Sequence, residues 1–203
     1  IMPGMIDTHV HMPQLAVMAS YGTQLLEWLE TYTFPTESRF ADADWSAKQS
    51  KVFLDLLLAH GTTSALVFST SHKVASEALF SAAHAYNMAI TTGRVMMDCN
   101  APDGVRDTAE ASYEESRELI ARWHGTGRQR YAVTPRFAAT STHEQLTYAG
   151  KLMTQAEGLL MQTHWAENKA EIAWIAELFP DRASYLDVYD HFGLLGPRSV
   201  LAH

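Results

Sequence analysis

A chain of 203 residues with 47% apolar and 19% charged side chains has the composition of a single globular domain rather than a disordered segment. Fifteen Lys and Arg against 23 Asp and Glu leave a formal net charge of -8, which argues against a nucleic-acid partner, because phosphate-backbone binding needs clustered basic side chains. The single cysteine, Cys99, has no internal disulfide partner, and no apolar run approaches the ~20 residues of a membrane span, so a cytoplasmic protein with no membrane contact is expected.

Both ends are apolar in character. Ile1 opens in the approach to a strand and His203 closes directly after SVLA, so the chain reads as a piece of a longer one. No basic segment precedes the first apolar stretch, and no secretory signal is expected.

In chain order, the first candidate strand is MPGMIDTHVH, residues 2–11. Helix-spaced apolar positions then run through 43–60, with Val52, Leu54, Leu56, Leu57 and Leu58 closed by His60 and Gly61 as a stop signal. TTSALVF (62–68) is a second strand, followed by a helix over 72–86; AITTGRVMM (89–97) is a third, followed by a helix over 107–124. RYAVTPRF (130–137) is a fourth, and the helix over 142–157 opens on Ser141 and Thr142 ahead of Glu144 and Gln145, in the pattern of a capping box. GLLMQTH (158–164), a helix over 167–179 and SVLAH (199–203) complete the series. Strands alternating with helices predict an α/β fold with a parallel sheet, and no repeat, low-complexity tract or linker divides it.

Six such units fall short of the eight that close a (β/α)₈ barrel of about 250 residues. The barrel is preferred to an open sheet because Asp7, His9, His11, Asp98, Asn100, Arg136, His164 and His203 lie almost entirely at the C-terminal ends of their strands. Barrel enzymes build their sites on that face. Strand alternation puts Asp7, His9 and His11 on one side and Ile6, Thr8 and Val10 on the other, so two imidazoles can aim at one ion. His164 and His203 add further nitrogens, the donor type that zinc accepts. Imidazole suits zinc and iron alike, so the metal is open between them.

Glu167 follows His164 by three residues in HWAEN, a place from which a carboxylate can lean over a metal and shuttle protons. Its alternative is a first-turn glutamate favoured by the helix dipole. Arg136 and Phe137 pair directional donors with an aromatic surface, suited to a flat, heteroatom-rich ligand. The alternative is an arginine at the barrel rim paired with an acid. His60, His72, His84, His124, His143 and His191 are read as surface or capping residues, and Cys99 as a buried bystander thiol.

These residues resemble a family. PGMIDTHVHMPQ is similar to the first-strand signature of the amidohydrolase superfamily, whereas YGTQLLEWLETYTFPTE with VTPRFAATST, QTHWAEN and SVLAH resembles guanine deaminases, bacterial ones in particular, over essentially the whole chain. The resemblance implies a metal-dependent-hydrolase barrel, present over residues 1–203 as strands one to six, with strands seven and eight and a small β domain missing. It implies one zinc bound or surrounded by His9, His11, His164 and His203, with Glu167 as proton shuttle. Gln14, Arg136 and Phe137 would hold the purine, and the segment with Leu25, Leu26 and Trp28 would cover the pocket. The implied reaction is hydrolytic deamination of guanine to xanthine and ammonia, by a homodimer when full length. The alternatives are a related hydrolase acting on another aminopurine or heterocycle, and an inactive metal-binding fragment. An aspartate that the family carries at the end of strand eight has no counterpart here, so the 203-residue piece is expected to be inactive, and its two unpaired sheet edges and half-exposed core predict poor expression.

Overall fold

The computed structural model describes residues 1–21 and 24–203. Gly22 and Thr23 of the YGTQLLEW stretch lie outside the described residues. Seven strands, Met5–His11 (β1), Thr62–Phe68 (β2), Ala89–Gly93 (β3), Val95–Met96 (β4), Arg130–Pro135 (β5), Leu160–His164 (β6) and Ser199–Ala202 (β7), pair in parallel in the order β1-β2-β3-β5-β6-β7, with β4 alongside β5. The connecting helices are Leu25–Trp28 (α1), Phe34–Ser38 (α2), Ala43–Ala59 (α3), Lys73–Ala85 (α4), Ala109–Trp123 (α5), His143–Leu152 (α6), Lys169–Leu178 (α7) and Tyr185–His191 (α8).

The sheet is curled rather than open. Four pairings separate β1 from β6, about 19 Å in a flat sheet at ~4.8 Å per strand, yet the rings of His9 and His164 stand 4.9 Å apart. Strands in sequential order, all parallel, with helices outside and facing ends brought together, make this six staves of a (β/α)₈ barrel. The longer helices pack on the sheet through an apolar stripe; α4, for example, buries Ala75, Leu79, Phe80 and Ala83. Among the described residues no helix is long and apolar enough to cross a membrane.

Three sequence expectations change in detail. The strand expected over 89–97 breaks at Arg94, whose buried guanidinium reaches Asp107 at 2.8 Å and Glu115 at 3.1 Å and donates to the Ser71 carbonyl. Gly93 just before the break lets β3 approach β5 closely, since a Cβ there would stand 1.9 Å from the Ala132 carbonyl oxygen. The capping box occurs at α7 instead of α6: Asn168 and Glu171 form it, whereas Thr142 accepts from the Gln145 amide alone. Glu167 therefore precedes the N-cap of α7, and the first-turn reading of that residue does not hold. Finally, β1 does not alternate simply. Between Asp7 and Val10 it advances three residues while β2 advances two, from Ala65 to Val67, so an extra residue shifts the phase.

Candidate active site

The C-terminal ends of β1, β5 and β6 open into a cavity of about 520 Å³, within the usual range for small-molecule sites. His9 and His11 come from β1 and His164 from the last position of β6. Nε2 of His11 lies 3.3 Å from Nε2 of His9 and 3.0 Å from Nε2 of His164, and ligand atoms of the three all fall within 4.8 Å of one another. A tetrahedral ion with nitrogens at ~2.0–2.1 Å separates its ligands by about 3.3 Å, so the donor set has the spacing a cation requires.

The surroundings keep these nitrogens available. Burial lowers His9 to about 4, helped by the neighbouring His203 and opposed by Asp7. Burial first, then His164 and Arg136, hold His11 well below its ordinary value; burial and Arg136 do the same for His164. The imidazoles are neutral at pH 7, with lone pairs free for a metal. Orientation comes from the opposite ring nitrogens. Nδ1 of His164 donates to the Arg136 carbonyl at 2.8 Å, which directs its Nε2 lone pair into the cluster. Nδ1 of His11 meets the Gln14 amide at 3.1 Å, and when Nε2 faces a cation Nδ1 carries the hydrogen and the amide presents its oxygen.

Phe68, at the end of β2 and fully buried, packs against the three imidazoles. Its ring stacks on His11 at 4.8 Å and touches His164 at 4.4 Å and His9 at 5.2 Å. Tyr189 of α8 accepts from the Ala138 amide at 3.0 Å and donates to the His164 carbonyl at 2.9 Å. Burial pushes its phenol up to about 12. Sequence reasoning missed both residues. The strand-end rule that found the histidines would have found Phe68; nothing marks Tyr189.

His203 lies just past β7, its ring centroid 5.1 Å from that of His9 and 5.6 Å from that of His164. It stands beside the three-nitrogen cluster, with Nε2 3.8 Å from a Glu167 oxygen. Glu167 lines the cavity. Its backbone approach is set by Ala166, which carries φ +58°, a left-handed conformation uncommon outside glycine. Burial raises the Glu167 carboxyl above the usual range, against the pull of His203, and the nearby carboxylate of Glu171 adds to the rise.

Arg136 and Phe137 line the opposite wall, following β5. Arg136 is also paired with an acid: its Nη1 donates to both oxygens of Glu37, at 3.0 and 2.8 Å, with both side chains buried. Glu37 belongs to α2 and closes the TFPTE stretch, another residue sequence reasoning passed over. Gln14, which meets His11, also lowers the Glu37 carboxyl against the rise from burial. Of the covering segment, Leu25, Trp28 and Leu29 line the cavity. Leu26 does not; it packs on the apolar cluster around Phe34 and Phe68. Trp28 is anchored through Nε1 to the Ser20 hydroxyl at 2.8 Å.

Asp7, Asp98 and Asn100 stand outside the cavity. Asp7 accepts from the His9 amide at 3.0 Å, satisfying the backbone where β1 bulges. Asp98 accepts from the Thr142 amide at 2.7 Å, and Asn100 donates to the Ala139 carbonyl at 2.7 Å. None of the six other histidines lines it. For instance, His60 meets the Leu56 carbonyl, His124 links Tyr131 to Glu157, and His143 lies against Phe179. Cys99 is half-buried, and burial together with Asp98 pushes its thiol up to about 12.

A parallel barrel with a strand-one H-x-H, a strand-end histidine close to it and a carboxyl three residues beyond has the arrangement from which the metal-dependent hydrolase class of barrels builds its sites. The profile of the Amidohydrolase family matches residues 1–203, and the chain belongs to that family, whose superfamily is metal-dependent. It is 51% identical to guanine deaminase of Escherichia coli over its whole length, covering 46% of that protein, whose solved structure superposes with a TM-score of 0.97 over 99% of this chain. The structure of guanine deaminase from Bradyrhizobium japonicum is 41% identical with a TM-score of 0.97, covering 99% of this chain and 43% of that one. Guanine deaminase from C. acetobutylicum, solved with guanine bound in its active site, is 33% identical with a TM-score of 0.92, over 99% of this chain and 48% of that one. The chain spans about half the length of the relatives it matches.

Proposed function

We propose that the protein hydrolyses guanine to xanthine and ammonia in the cytoplasm, with one zinc ion held by His9, His11 and His164 and with His203 beside it. The observation that carries the reading is the meeting, in one cavity, of three neutral imidazoles, a carboxyl of raised pKa and an arginine-phenylalanine wall. Relatives named guanine deaminase at up to 51% identity support the choice of substrate.

Zinc in this place would supply a water of lowered pKa, near 7 instead of 15.7, as nucleophile at neutral pH. The chain's own groups do the rest. Arg136 donates to the acceptor edge of the purine, Phe137 offers its wall, and Gln14 reads a second polar edge while orienting His11. Glu167, protonated more readily than an ordinary carboxyl, gives a proton to the ring nitrogen next to the carbon that loses its amine, then takes up a proton released by the attacking water and delivers it to the departing amine, which leaves as ammonia. Leu25, Trp28 and Leu29 exclude bulk water above the ring.

Residues 1–203 are proposed to be one part of a longer polypeptide, with two further staves and a small β domain outside them; coverage of 46% of the Escherichia coli relative supports this. Full length, the protein is proposed to form a homodimer, which light scattering would test. A soluble, fully active 203-residue protein would contradict the partial-domain reading. Ammonia release measured separately with guanine, adenine and cytosine tests the substrate. Preference for anything but guanine removes that choice in favour of a related hydrolase, and metal without turnover on any of them favours the inactive metal-binding reading.

A further inference from the structure

Glu37 stands out among the buried titratable groups because the reaction above does not use it. It is fully buried on α2, behind Arg136 rather than in the cavity wall. Both of its oxygens engage the same nitrogen, Arg136 Nη1, and among the described residues nothing accepts from Arg136 Nε or Nη2. The guanidinium is thus held by one corner, while its other two donor positions remain for whatever enters the cavity. The Phe34 ring lies 5.2 Å beneath it and limits tilting. Gln14, another polar side chain of the wall, lowers the Glu37 carboxyl against the rise that burial causes.

We propose that Glu37 is a positioning residue that sets substrate selectivity: it fixes Arg136 so that the free guanidinium donors pair only with a ring edge made of acceptors, such as the 6-oxo edge of guanine. The inference rests on the guanine reading and deepens it. Arginine has five donors and no acceptor, so a rigidly held guanidinium pairs with a 6-oxo edge and leaves an edge without that oxygen unmatched. A mobile one discriminates less, because it can turn toward water or another acceptor. The same ion pair ties α2, and with it the covering segment, to the end of β5.

The test uses the purified zinc-loaded full-length protein and its Glu37→Gln variant, with guanine and 2-aminopurine, which lacks the 6-oxo group, as substrates. Xanthine binding is followed by calorimetry as a readout independent of turnover. The expected result is a KM for guanine raised about 10- to 100-fold, the range of a lost charge-assisted hydrogen bond. Xanthine affinity should fall by a similar factor, kcat should stay within about threefold, zinc content should be unchanged, and the preference for guanine over 2-aminopurine should shrink. Equal losses on both substrates, or an unchanged KM, would overturn the proposal, since packing alone would then explain the residue. Should the glutamine variant not fold, Glu37→Asp serves: it keeps the charge and withdraws it by one methylene, and an intermediate loss of preference is expected, an unchanged preference being the overturning result. Failure of the unsubstituted protein to act on guanine refutes the underlying reading as well, whereas failure confined to the variants' selectivity refutes this one alone.

Discussion

Replacing Tyr189 with phenylalanine tests whether the metal cluster is held by a polar scaffold behind it. The ring stays packed, so no cavity forms and the effect comes from one oxygen. That oxygen accepts from the Ala138 amide at 3.0 Å and donates to the His164 carbonyl at 2.9 Å. Without it the Ala138 amide is orphaned in a buried turn, at a cost of about 1–3 kcal/mol. The His164 carbonyl keeps only two long contacts, from the Thr163 hydroxyl at 3.4 Å and the Tyr185 hydroxyl at 3.5 Å, so roughly another 1 kcal/mol is lost there. A total of about 2–4 kcal/mol corresponds to a fall in Tm of about 5–15 °C for a domain of this size. Thermal unfolding followed by circular dichroism reads it, and zinc titration should show affinity weakened about 10- to 100-fold as His164 loses its backbone anchor. A variant that melts within 2 °C of the parent and binds zinc equally well would refute the reasoning, because the hydroxyl would then be idle.

Glu167→Gln should lower turnover of guanine about 10²- to 10⁴-fold with zinc content unchanged, the signature of a lost proton carrier rather than a lost ligand. Metal analysis of His164→Ala should find well below one zinc per chain. In the metal-stripped protein, His9, His11 and His164 have folded pKa values below the unfolded 6.5, so the unfolded state binds more protons and stability falls as pH drops from 6.5 toward 4. Urea unfolding that is independent of pH across that window would contradict this. Cys99, with its thiol near 12, should react with a disulfide reagent at pH 8 about a thousandfold more slowly than a free thiol near 8.5.

The histidines were legible in the sequence because they break a rule: a polar ring at the end of an apolar run is conspicuous wherever the strand is buried. Their convergence also followed once the strands were counted as parallel. What sequence could not show was phase and partnership. Asp7 looks like a third member of the His9 face until an inserted residue in β1 takes it out of step, and periodicity carries no mark of a bulge. Glu37 and Arg136 lie 99 positions apart, so their pairing is a fact of the fold alone. Helix α8 spans seven residues, too few for an apolar repeat to declare itself, and Tyr189 went unseen with it. Glu167 was placed in a helix because Asn168, the actual cap, is as ordinary a residue in a loop as at a helix start.

Arg136 serves the pocket twice, through two independent parts of itself. Its carbonyl oxygen steadies His164 whatever side chain the position bears, while its guanidinium faces the cavity. A gene lineage could therefore exchange that side chain, together with Glu37, and reshape the wall of the cavity without first dismantling the histidine cluster beside it.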